Sequence, residues 1–265
     1  VLAGGSLPGA SITSTEVADS DLVDADLSGA TVSQSTLDDS DLRVADLTDA
    51  AFTAVTLETA TLDNADLSGS TLSSVDATEA DLSAATARGV TADEVDLTGA
   101  TLARAELAEA SLDDATLVDA DLSNVALSEA DCENAALSGA TLDRATLEAA
   151  TFTRAALTAA TLTHATLSGA TFTSATLDDA RLVEATAVDA GFDGATLRGA
   201  TVAETDLTGG TLARADLESA TVELATLDSV DLAEADLSNA TVAETTFETA
   251  TLSGATFAHA TLTTV

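Results

Sequence analysis

The sequence predicts an all-β solenoid whose chain turns a corner every five residues. Three observations carry that expectation. Positions 2, 7, 12 and onward to 262 are apolar: 48 of these 53 hold Leu, Val, Ile or Phe, the exceptions being Ala77, Ala87, Ala92, Cys132 and Ala187. Two residues before each stands a small residue, usually Ala, as in Ala25-Asp26-Leu27 and Ala150-Thr151-Phe152. All 46 acids and all eight Arg fall on the other three positions of the pentad. Two inward and three outward positions in five do not follow the 3.6-residue period of a helical stripe. Nor are they the plain alternation of a flat strand.

The corners are marked too. Of 15 glycines, 12 lie two residues after the large apolar position, among them Gly29, Gly69, Gly139 and Gly199. A tight turn calls for positive φ there. The single Pro8 stands in the opening coil, where its missing N–H matters least.

Composition bounds the chemistry. The chain has 265 residues and a formal net charge of −38, with no Lys. No basic patch is available for phosphates, so direct nucleic-acid binding is not expected. A lone Cys132 excludes a disulfide framework and a Cys-based zinc site. No apolar run approaches the ~18 residues of a membrane span, and the opening residues lack the charged-then-apolar pattern of a signal peptide. A hydrophobic fraction of 46% argues against disorder. There is no G-x-x-x-x-G-K-[ST] loop and no nucleophile elbow. His164 and His259 fall on different outward sides without a matching cluster. The expectation is a non-enzymatic protein without cofactor or metal.

The A-D-L, A-T-L and A-T-F units resemble the pentapeptide-repeat family, whose motif is A(D/N)LXX. The resemblance runs through essentially the whole chain. It implies a right-handed quadrilateral parallel β-helix with four pentads, or 20 residues, per coil. The 265 residues then make about 13 coils of one domain, a rod roughly 64 Å long at ~4.8 Å per strand. The chain departs from the motif in its abundance of Thr before the large residue.

A 20-residue repeat stacks Phe152, Phe172 and Phe192, with Cys132 one coil earlier and Phe52 along the same side. Ring-on-ring core packing is expected rather than a ligand platform, with Cys132 a small buried hydrophobe. Ala77, Ala87 and Ala92 thin one coil while Val75, Val90 and Val95 replace Ala nearby, so volume is expected to be exchanged rather than lost. Asp26, Asp46 and Asp66 stack as a by-product of the repeat. Like charges so opposed are destabilising, and solution cations would relieve them.

The four sides carry 11, 12, 9 and 14 acids. One account is adaptation to high salt. A second is DNA mimicry: ~64 Å of duplex carries ~37 charges, close to the 38 here. The resemblance supports it, since quinolone-resistance members of the family bind DNA gyrase in place of DNA. Those members are typically dimers joined through a C-terminal element, and some carry loops; this chain has neither feature. The preferred account is a rigid rod that associates with itself. Leu2, Leu7, Leu262 and Val265 keep the frame to both ends without a cap, which predicts end-to-end stacking. The chain opens at Val1, as a processed, trimmed or partial sequence would.

Lateral contact has two candidate surfaces. Residues 134–177 have zero net charge and include Thr151, Thr153, Thr161, Thr163, Thr171 and Thr173. A second neutral strip runs along one side through Ser11, Thr13, Thr31, Ser33, Ala51, Thr53, Thr71 and Ser73. Charge depletion with small side chains suits a contact surface, set against an ordinary strand face chosen for β propensity. Flat Thr-x-Thr arrays also raise ice binding or an adhesin-type stalk. An assembled rod would suit a cell surface or extracellular setting, a DNA mimic the cytoplasm.

Overall fold

The computed structural model describes residues 2–265; Val1 lies outside them. The protein is an all-β solenoid, and the chain divides into two compact units, Val1–Ala136 and Leu137–Val265. Both are wound from the same pentad.

Every corner is built at the residue the glycines marked. Each fifth residue from Gly4 to Thr264 has positive φ, between 50° and 79°. Twelve of these are the glycines above and 41 are other residues. Most corners are closed by a turn hydrogen bond, as when Ala10 N–H donates to Leu7 C=O at 3.1 Å and Ala100 N–H to Leu97 C=O at 3.0 Å. Four corners bring the chain back above itself, so residues 20 apart pair in parallel. Leu27 N–H donates to Asp46 C=O at 2.8 Å, and Asp46 N–H to Ala25 C=O at 2.9 Å. These coil-to-coil bonds satisfy the backbone that a buried loop would leave unpaired.

Most sides meet the next coil through a single bridge. Extended ladders form on one side of each unit. Unit 1 has β1 (Ser11–Thr13), β2 (Thr31–Ser33), β3 (Ala51–Thr53) and β4 (Thr71–Ser73), in the order β1-β2-β3-β4. Unit 2 has β5 (Arg181–Val183), β6 (Thr201–Ala203), β7 (Thr221–Glu223), β8 (Thr241–Ala243) and β9 (Thr261–Thr263), again in chain order. Their central residues are rich in β-branched types, Ile12 and Val32 in one and Val202, Val222 and Val242 in the other. Stiff branched side chains suit extended backbone.

The interior holds the large and small apolar positions. In unit 2 Phe152, Phe172 and Phe192 are fully buried and stacked, with centroids 5.0 and 4.9 Å apart and planes within 4°. The ladder is core packing, as expected. In unit 1 the alanine-rich coil departs from expectation: Ala77, Ala87 and Ala92 line an apolar void of about 30 Å³ beside Val75, Val90 and Val95. Branching at Cβ fills space near the wall, while the missing leucine carbons leave the centre empty.

Candidate interaction surface

The outward faces of β1–β4 form the most unusual surface of unit 1. Register places Ser11, Thr31, Ala51 and Thr71 in one rank and Thr13, Ser33, Thr53 and Ser73 in the next. The corner rank beside them is Ser14, Gln34, Ala54 and Ser74. No charged residue occurs in any of the three ranks. Side chains here bond mainly to one another: Ser33 donates to Thr13 at 3.3 Å, Ser11 and Thr13 lie 3.5 Å apart, and Ser14 donates to Gln34 Oε1 at 3.3 Å. The result is an uncharged sheet rich in hydroxyls. The neutral strip read from the sequence occupies the two strand ranks of this sheet.

On the neighbouring sides charge is dense but locally held. Asp46 Oδ1 accepts from Thr48 N–H at 3.0 Å and from its hydroxyl at 2.6 Å. Asp76 with Thr78 and Asp96 with Thr98 repeat the arrangement. Bonds from Ser28 and Ser6 hold the Asp26 carboxyl below the usual carboxylate range, and Ser28 is the larger influence. The Asp26–Asp46–Asp66 stack is present as bridged pairs, each carboxylate engaged by the residue two along in its own pentad. Where acids crowd, repulsion shows: Asp76 and Asp38 push the Glu58 carboxyl upward.

The threonine band of residues 134–177 does not form one surface. Thr151 and Thr171 pair on one side, as Thr141 and Thr161 do two corners away. Thr153 and Thr173 accompany the first pair and Thr163 the second. Unit 2 instead carries a rank that sequence reasoning missed: Thr201, Thr221, Thr241 and Thr261 stack in register on β6–β9. Valine at the large position of three of these four strands was the available signal. The rank is interrupted by charge alongside, at Glu204, Glu223 and Glu244, so it is not a second neutral face.

The terminal coils expose their apolar positions: Leu2 and Leu7 at one end of the described chain, Leu262 and Val265 at the other. His164, read from the sequence as having no matching cluster, makes one acidic contact: its Nδ1 lies 3.3 Å from Glu184 Oε2, one coil later. Twenty residues of separation hid that pair. Cys132 is buried, and burial pushes its thiol well up. Among the described residues no group of three or more His, Cys, Asp or Glu is arranged to hold a metal ion, and no helix is long and apolar enough to cross a membrane.

The profile of pentapeptide repeats matches the chain in eight copies, among them residues 20–58, 52–86, 93–128, 117–154, 126–163, 150–186 and 231–265. Among solved structures, HetL, a pentapeptide-repeat protein involved in heterocyst differentiation regulation in the cyanobacterium Nostoc, is 32% identical. The match covers 83% of this chain and 90% of HetL, with a TM-score of 0.38. A pentapeptide-repeat protein of the Arabidopsis thaliana thylakoid lumen is 38% identical over 34% of this chain and 62% of its own, TM-score 0.33. Trypsin-treated QnrB1, a plasmid-mediated fluoroquinolone resistance protein, is 19% identical over 81% and 92%, TM-score 0.42. No curated protein matches.

Proposed function

Because the chain belongs to the pentapeptide-repeat family, we propose that it is a non-catalytic scaffold that associates with copies of itself through the uncharged β1–β4 sheet. The observation that carries this is local neutrality in a chain of net charge −38. Most lateral approaches between two copies oppose carboxylates, at a Coulombic cost that solvent only partly screens. The β1–β4 faces meet without that cost. Interface centres are depleted of charge in the same way.

Light scattering across salt tests the proposal. The Debye length falls from ~30 Å at 0.01 M to ~3 Å at 1 M, so the mass of the particle should rise with salt. A monomer throughout would end the proposal. Replacement of DNA on a topoisomerase such as gyrase is the second reading, favoured by acids on all four sides. A supercoiling assay addresses it, and no inhibition at micromolar protein counts against it.

A further inference from the structure

Resting on the lateral pairing proposed above, we infer that two copies pair antiparallel, about a two-fold axis along the strands, so that β1 of one chain faces β4 of the other and β2 faces β3. The argument is the distribution of charge along one side of unit 1. That side is neutral through β1–β4 and then changes character. Thr71 bridges to Thr91, Thr91 to Ser111 and Ser111 to Asp131, so the coils after β4 continue the same side. Their outward residues include Asp93, Glu94, Asp113, Asp114, Asp131 and Glu133. The nine acids of this side begin at Asp93.

Parallel pairing would set each of those acidic coils face to face with its own copy. Antiparallel pairing keeps the neutral sheets together and carries the acidic coils of each chain past the partner's sheet. The opposing consideration is the rim. The corners bounding the sheet carry one acid, Asp49, which antiparallel pairing sets against Gly29 of the partner, and just past the other corner Glu16 aligns with Asp76 of the partner. These lie at the edge of the contact or on the next side, where solvent and salt screen them. Face-on repulsion between the acidic coils outweighs it. The hydroxyl ranks also match: Thr13 of one chain meets Ser73 of the other, and Thr31 meets Ala51.

Spin labels read the orientation. Cys132 is buried, so an Asp113→Cys variant of the full chain takes one accessible label. Antiparallel pairing places the two labels about seven strand spacings apart, roughly 34 Å, and parallel pairing brings them within about 20 Å. A Gln34→Cys label, at the sheet's own corner, is expected within about 20 Å of its copy in the antiparallel pair. The long Asp113 distance with the short Gln34 distance supports the inference. A dimer with a short Asp113 distance overturns the orientation and leaves the lateral pairing standing. A dimer with a long Gln34 distance places the contact elsewhere and overturns both, as does a monomer at every salt concentration.

Discussion

The left-handed corner is the residue on which this protein turns, and 41 of its corners are made without glycine. Asp, Asn and Ser tolerate that conformation because their short polar side chains bond locally, whereas branched residues resist it. Val44 stands out: it holds φ 61° and is 56% exposed, so burial does not repay the conformation. Replacing it with Asn should raise stability by about 1 kcal/mol, measured by denaturant unfolding; a loss would mean that Val44 packs favourably where it stands. At Gly69 (φ 67°) space adds to conformation, since a Cβ there would lie 2.7 Å from Asp49 Oδ1. Acidic residues add a pH signature. The carboxyls of Asp26 and Asp236 are held low by bonds from Ser28 and Ser238. That contribution is full above the unfolded carboxylate pKa of about 4 and is lost as pH falls through the lower folded value. Glu58, pushed up by its neighbours, acts in the opposite sense: its charge opposes folding at neutral pH, and protonation relieves this on mild acidification. Melting temperature should therefore climb slightly on mild acidification and fall again below about 4. A monotonic fall from neutrality would contradict that assignment.

At the scale of the element, the pentad pattern made the coil, its core and its corners legible, because each depends on a residue type at a fixed position. Which sides form true ladders was less legible. The uncharged strip at Ser11, Thr31, Ala51 and Thr71 gave away β1–β4, but β5–β9 carry Arg181 and Glu223 and show no such gap. Their marker lies inside, in Val202, Val222 and Val242, where alternatives to Leu looked interchangeable. Pairings between coils, such as His164 with Glu184, require the 20-residue register and not the pentad alone. Strand-bearing corners also close differently. After β1, Thr15 N–H donates to the Ser35 hydroxyl of the next coil at 3.2 Å. In unit 2 the buried Thr205 hydroxyl donates to Leu182 C=O and, at 3.1 Å, to Ala203 C=O; Thr245 donates to Val222 C=O at 3.2 Å. Thr205→Val keeps the shape and removes the donor, and should cost about 1–3 kcal/mol. Thr205→Ser should recover most of it. Equal stability of the Val variant would show that these hydroxyls only fill space.

For the whole molecule, −38 is foremost a consequence of geometry: every charge sits on an outward position and all four sides share the acids. Self-repulsion on that scale favours solubility and opposes assembly, which makes an uncharged sheet conspicuous as a place where two copies meet. Inserting charge there should abolish association without disturbing the core, because Thr31 and Thr53 are exposed. The most direct test is sedimentation at high salt of the full chain with Thr31→Asp and Thr53→Asp, beside a Thr153→Asp/Thr173→Asp control. The account predicts a monomer for the first variant and an associated species for the control and the unaltered chain. Undiminished association of the Thr31→Asp/Thr53→Asp protein would contradict it.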